Sequence, residues 1–290
     1  MKIGFIGLGS MGAPMAASLA RAGHGVKGFD PAARAPEGVS ACSSALEAAI
    51  GAEVVILMLP DGGAVRDVAG RILDGMSAGA VLVDCSTIDV ATAREVARLG
   101  GSHGIACLDA PVTGGTTGAA EGGLTFLAGG DTDAFARVRP LFETMGSRAV
   151  HCGAAGNGQA ARLCNNMILG ATMIATCEAM ALAEKLGLGQ KALFNVVSTS
   201  SGSSWSMNTY CPAPGIGPAS PADDNYRPGY AAELMLEDLR LAQAAAADCD
   251  ADTPLGAAAA ELYRAFVEEE DGRGKDFSAM LPRLLARGRT

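Results

Sequence analysis

The hexapeptide Gly7-Leu8-Gly9-Ser10-Met11-Gly12 follows an apolar run, Ile3-Gly4-Phe5-Ile6, and opens a helical pattern that reaches about Ala22. In that setting the first glycine permits a tight turn and the second lets the backbone approach a pyrophosphate. The third lets helix and strand pack closely, and the helix N-terminus faces the phosphates. A carboxylate, Asp30, closes the next apolar run, about twenty residues downstream, where it can accept hydrogen bonds from the adenosine ribose hydroxyls. Its charge repels a 2′-phosphate, which favours NAD over NADP, and Arg34 is the one neighbour able to reverse that preference. Followed by Pro31, the same Asp30 also suits a plain turn. Leu59-Pro60, closing the third strand, falls where such a cofactor crosses the carboxyl ends of the strands.

Asn165-Asn166 is the second group: two amides inside a long apolar stretch, too far from its start for capping, need partners to offset burial. A third, Pro111 to Gly115, reads on its own as a turn after a strand.

Short apolar runs alternate with helical patterns through the first half. They include Gly25 to Phe29, Val54 to Met58, Val81 to Val83, Ala106 to Asp109 and Gly123 to Ala128, with a helix over Ser43 to Ile50. That alternation implies right-handed βαβ crossovers and a mostly parallel, doubly wound α/β sheet over residues 1–158. After Gly156-Asn157-Gly158, Gln159 to Lys185 has no proline and one glycine, enough for a helix of roughly 40 Å. Residues 159–290 read as all-α, with a polar, Pro/Gly-rich interruption from Ser198 to Gly229, and Glu268 to Asp271 as a solvated acidic turn.

The 290 residues are 49% hydrophobic and 18% charged, with a formal net charge of −9, which excludes a disordered chain and argues against a nucleic-acid binder. Five lysines stand against seventeen arginines. Eight cysteines without C-x-x-C or zinc-finger spacing indicate a reduced, cytoplasmic protein with no metal. Leu163 to Leu182, the longest apolar run, is broken by Asn165, Asn166 and Glu178, so neither a membrane span nor a signal peptide is expected.

Several ordered motifs together resemble the β-hydroxyacid dehydrogenase family. They are Gly7 to Gly12, Met58-Leu59-Pro60, Asp84-Cys85-Ser86-Thr87, Asp109 to Gly115, and Gly158-Gln159 through Asn165-Asn166. Trp205-Ser206-Met207-Asn208 and Thr253-Pro254-Leu255 resemble the branch that oxidises 3-hydroxyisobutyrate in valine catabolism. The resemblance implies an N-terminal Rossmann domain, a long interdomain helix and an all-α C-terminal domain that forms a homodimer or homotetramer. It implies NAD-dependent oxidation of a 3-hydroxy acid to its semialdehyde by hydride transfer. Leu59, Pro60, Ala64 and Thr87 match cofactor-contacting positions, and Thr113, Gly114 and Gly115 match the motif that holds the substrate carboxylate.

Two positions depart from the family pattern. Its catalytic lysine is replaced by Arg162, four residues before Asn166 and so on the same helix face. Lysine can be tuned to exchange a proton near the working pH, whereas a guanidinium stays protonated and can only hold a carboxylate or stabilise an oxyanion. Glu237, before Asp238, replaces a lysine near the cofactor. Three readings remain open: a slow dehydrogenase, a reductase of imines or small semialdehydes and glyoxylate whose proton comes through water or another side chain, and an NAD-binding protein without turnover.

Overall fold

The computed structural model describes residues 1–287, which divide after Arg162 into two compact units. In the first unit nine strands make one sheet: β1 (Lys2–Ile6), β2 (Gly25–Phe29), β3 (Ser40–Ala41), β4 (Val54–Leu57), β5 (Val81–Asp84), β6 (Ala106–Asp109), β7 (Val112–Thr113), β8 (Leu124–Gly130) and β9 (Gly146–Gly153). Their order is β3-β2-β1-β4-β5-β6-β8-β7, with β9 added parallel to β8. From β3 to β6 every pairing is parallel; β8 runs antiparallel to β6 and β7. The two-residue strands β3 and β7 carry no apolar run, and β9 is mostly half-exposed, so none of the three announces itself in the sequence.

Six helices cover this sheet: α1 (Gly12–Arg21), α2 (Ala45–Ala49), α3 (Gly62–Ile72), α4 (Val90–Ser102), α5 (Gly115–Glu121) and α6 (Thr132–Met145). Central strands are buried on both faces, which is why they read as unbroken apolar runs. In β4, Val54 and Ile56 pack with Met15 and Leu19 of α1, while Val55 and Leu57 pack with Val65, Ala69 and Ile72 of α3. Carboxylates start three of the helices: Asp61 caps α3, Asp89 caps α4 and Asp131 caps α6, each accepting a backbone N–H in the first turn.

One long helix, α7 (Asn157–Lys185), begins in the first unit and continues into the second. By length and composition alone it could cross a membrane, but half of its most apolar window is buried inside the protein, as befits a core helix. The second unit continues with α8 (Gln190–Val197), α9 (Trp205–Asn208), α10 (Ala232–Asp248), α11 (Pro254–Arg264) and α12 (Met280–Ala286). Met173, Cys177 and Met180 of α7 pack with Met235, Leu236 and Leu239 of α10 and with Tyr263 of α11.

The Ser198 to Gly229 stretch is not structureless. It contains α9 and a short turn capped reciprocally by Ser220 and Asp223, and Tyr226 Oη donates to the Pro212 carbonyl at 2.9 Å. Nor is Glu268 to Asp271 simply solvated: Glu268 pairs with Arg240, Glu269 with Arg264, and Glu270 with the buried Arg283. All eight cysteines are free thiols.

A Cβ on Gly12 would lie 1.9 Å from the Gly7 carbonyl oxygen, so α1 approaches β1 this closely only because a side chain is missing. Gly12→Ala is expected to destabilise the chain by about 1–3 kcal/mol. Thermal and denaturant unfolding check this, and an unchanged midpoint would show that the contact is not tight.

Candidate functional site

The glycine loop leaves β1 where the strand order reverses, with β2 on one side and β4 on the other, the place at which open α/β sheets bind ligands. Gly7 has φ +95°, and a Cβ there would lie 2.1 Å from the Met58 carbonyl oxygen. Nothing lies within 4 Å of a Cβ on Gly9, so the middle glycine borders open space. The first turn closes when the Ala13 N–H donates to the Gly9 carbonyl at 3.0 Å. The amides of Ser10, Met11 and Gly12 therefore belong to the start of a helix, which has no partners of its own to offer them. These features fit a dinucleotide pyrophosphate.

Asp30 is tied to the loop. Its Oδ2 accepts the Leu8 N–H at 2.8 Å, and its Oδ1 accepts the N–H groups of Ala32 at 2.8 Å and Ala33 at 2.7 Å. Partial burial works against ionisation, but these three amides outweigh it and hold the carboxyl below its ordinary value. The turn reading and the carboxylate reading thus coincide in one residue, and the carboxylate keeps acceptor capacity for a hydroxyl. Arg34 is exposed. Across the switch point the Leu59 N–H donates to Ser86 Oγ at 2.8 Å, Pro60 is exposed, and Ala64 and Thr87 are half-buried.

Thr113 ends β7, and Gly114 and Gly115 turn into α5 with φ +123° and +62°. The Arg162 guanidinium donates to the carbonyl of Val112, the residue before Thr113, so the structure brings Arg162 to this loop. One turn further along α7, Asn166 is buried, whereas its neighbour Asn165 is exposed, which corrects the expectation that both amides are enclosed. Asn165 Nδ2 donates to Asn166 Oδ1 at 2.8 Å. Asn166 Nδ2 in turn donates to the buried carboxylate of Asp238 on α10 and lies 3.3 Å from Tyr230 Oη. Tyr230 Oη also donates to Asp238 Oδ2. Glu237 is exposed.

Sequence reasoning missed Tyr230 and the partner role of Asp238. The Glu237-Asp238 pair is the one local signal for it, and its exposed member is the one that departs from the family pattern. It also missed a buried polar seam at the start of α7. Asp109 Oδ1 accepts the Gly156 N–H at 2.7 Å and its Oδ2 accepts the Gln159 N–H at 2.9 Å. The Gln159 side chain donates to the Ser86 carbonyl at 2.7 Å and accepts the Ile88 N–H at 3.2 Å. Asp84 sits beside Asp109 in the register of β5 and β6, and among the described residues Asp84 Oδ2 has no hydrogen-bond partner. Burial pushes the Asp84 carboxyl up to about 7, against hydrogen bonding from Ser86 and with a further push from the Asp109 charge. Burial also raises Asp109, less its backbone hydrogen bonds. Among the described residues no cluster suited to a metal is present.

Residues 2–153 match the family described as the NAD binding domain of 6-phosphogluconate dehydrogenase. Residues 156–284 match the NAD-binding family of NADP-dependent 3-hydroxyisobutyrate dehydrogenase. A probable 3-hydroxyisobutyrate dehydrogenase of Mycobacterium tuberculosis is 48% identical over 290 residues, covering 98% of each chain. An NAD-dependent L-serine dehydrogenase of Pseudomonas aeruginosa is 43% identical over 290 residues, covering 96% of each. The solved structure of the M. tuberculosis 3-hydroxyisobutyrate dehydrogenase with L-serine superposes with a TM-score of 0.94 at 47% identity, over 97% of this chain and 98% of that one.

The Asp84 carboxyl carries a sign for stability. Folded, it keeps its proton up to about 7, while unfolded it loses the proton near the ordinary carboxylate value. Between those two values the folded chain binds more protons, so stability falls as pH rises, by up to about 1.4 kcal/mol per pH unit. Asp84→Asn, which mimics the protonated form, is expected to make the fall in Tm from about pH 5 to about pH 8 shallower. A variant whose Tm runs parallel to the parent's would mean that Asp84 is ionised throughout.

Proposed function

The chain belongs to the 3-hydroxyisobutyrate dehydrogenase family of β-hydroxyacid dehydrogenases, and from that premise we propose that it oxidises 3-hydroxyisobutyrate, or a close 3-hydroxy acid, to the semialdehyde with NAD. One observation carries the reading. Arg162 stands at the position of the family's catalytic lysine, and its guanidinium reaches the carbonyl immediately before the Thr113-Gly114-Gly115 loop. Full-length relatives named as hydroxy-acid dehydrogenases favour this over an imine reductase or a protein without turnover.

In this reading the Thr113 hydroxyl and the amides of Gly114 and Gly115 hold the substrate carboxylate. Asn166 orients the reacting oxygen, its amide already fixed by Asp238. Arg162 supplies positive charge as the alkoxide develops, without exchanging a proton. Gly7, Leu8, Gly9, Ser10, Met11 and Gly12 form the pyrophosphate cradle, Asp30 takes the adenosine ribose, and Leu59, Pro60, Ala64 and Thr87 contact the cofactor. Glu237, exposed on α10, is assigned to the cofactor side only on the family resemblance. NAD, when bound, supplies the hydride acceptor.

L-serine is the close alternative substrate, since it differs from 3-hydroxyisobutyrate only in carrying an ammonium in place of a methyl group, and relatives are named for both. The protein is proposed to be cytoplasmic and a homodimer or homotetramer. Ile168 and Leu182 support the latter: fourteen residues apart on one face of α7, they are 61% and 57% exposed.

Two measurements test these assignments. With 3-hydroxyisobutyrate and L-serine as substrates, NAD is expected to be reduced and NADP to be a poor substitute, and Asp30→Ala should narrow that preference by on the order of tenfold. No reduction with either acid would overturn the dehydrogenase reading, and an NADP preference in the parent would overturn the role of Asp30. Light scattering on the intact chain is expected to give at least the dimer mass, lowered in Leu182→Glu.

A further inference from the structure

The replacement of lysine by arginine leaves a chemical problem. When a hydroxy acid is oxidised, the C–H bond gives up its electron pair with the hydride, and the O–H proton must leave separately. A guanidinium, which stays protonated, cannot take it. The second unit sets a phenol and a carboxylate next to Asn166. Asn166 Nδ2 lies 3.3 Å from Tyr230 Oη, and Tyr230 Oη donates to Asp238 Oδ2. Asp238 and Asn166 are both 97% or more enclosed, at 2% and 3% exposure, while Tyr230 is half-buried.

The phenol is also held in place. The Gly229 and Tyr230 N–H groups both donate to Asp276 Oδ2 at 3.0 Å, and the Phe277 N–H donates to the Tyr230 carbonyl at 3.0 Å. Phe277 then packs edge-on against the Tyr230 ring, centroids 5.6 Å apart. Asp276 is completely buried, so this anchor is not a mobile surface contact. A tyrosine clamped by its own backbone, with its hydroxyl directed to a buried carboxylate, is more than is needed to fill space.

We propose that Tyr230 and Asp238 form the proton relay of this dehydrogenase, taking over the task for which the family uses lysine at position 162. The proposal rests on the reading that Asn166 orients the reacting oxygen. As the substrate O–H bond breaks, its proton passes to Tyr230 Oη. The proton already on Tyr230 moves along the existing hydrogen bond to Asp238 Oδ2, and the carbonyl forms at the carbon that lost hydride. Tyr230 ends the step as it began it, a neutral phenol. Asp238 ends it protonated and returns the proton to water before the next turnover. Run backwards, the same path delivers a proton to the alkoxide. Arg162 contributes charge and no proton.

The test is a double-mutant cycle on the full chain, with NAD and the better of the two hydroxy acids. Tyr230→Phe removes the relay hydroxyl and leaves the ring packing on Phe277. It is expected to lower kcat by on the order of 10²-fold, with NAD affinity by fluorescence and Tm close to the parent. Arg162→Lys restores a side chain able to exchange the proton unaided. It should therefore raise kcat at least about tenfold more in the Tyr230→Phe background than in the parent. A purely structural tyrosine would give the same factor in both backgrounds. Equal factors, or a Tyr230→Phe kcat within about threefold of the parent, would overturn the relay while leaving the dehydrogenase reading intact. Failure of the parent to turn over either acid would overturn both.

Discussion

A carboxylate buried at the end of β6 sets where the long helix begins. Asp109 accepts the Gly156 and Gln159 amides, two of the N–H groups that any helix leaves over at its start. The approach is close enough to demand glycine between them: a Cβ on Gly158 would lie 2.2 Å from the Leu127 carbonyl oxygen and 2.5 Å from that of Asp109. Because each residue turns an α-helix by about 100° and advances it about 1.5 Å, a slip of one position would carry Arg162 away from the Val112 carbonyl. The register of the candidate reaction residues is therefore fixed several residues upstream of them.

The second unit solves its own positioning problem with the same device. Asp276 accepts from two backbone amides at Gly229 and Tyr230, from Tyr210 Oη at 2.9 Å, and from the Ser278 amide and hydroxyl. A buried carboxylate is costly unless saturated with donors, and saturation is what makes it useful as an anchor. It converts the end of a long irregular connection, Ser198 to Gly229, into a fixed approach to α10. Tyr230 thus owes its placement to a residue 46 positions later in the chain, on the turn before α12.

That distance explains what was legible in the sequence and what was not. Strands β1, β4 and β5 are apolar runs because they are buried within the sheet, β2, β6 and β8 are partly buried, and the glycine loop is local in sequence as well as in space. Gly7, Gly12 and Asp30 could accordingly be placed from spacing. Strands β3, β7 and β9 arise from pairing with neighbours and leave no periodic trace. The Asp109 cap joins residues about fifty positions apart, and the Asn166–Asp238 bond joins residues 72 apart. Such pairs have no spacing rule to reveal them. The two amides at 165 and 166 could be flagged as needing partners, but not told apart; only the packing of α7 against α10 shows that one is enclosed and the other is not.

Scarcity of lysine first looks like a compositional habit, harmless wherever a positive charge faces water. At position 162 the exchange is not neutral, because the two cations differ in what they can do at a fixed point. A lysine is a compact charge on a flexible stem whose pKa shifts readily on partial burial, whereas the planar guanidinium offers five donors and stays protonated. One nitrogen of the Arg162 guanidinium donates to the Val112 carbonyl, beside the turn through Thr113, Gly114 and Gly115. Charge and positioning can therefore sit at one residue while proton transfer sits at another. A dehydrogenase can separate those two tasks because nothing in hydride transfer requires the group that balances the alkoxide's charge to be the group that takes its proton.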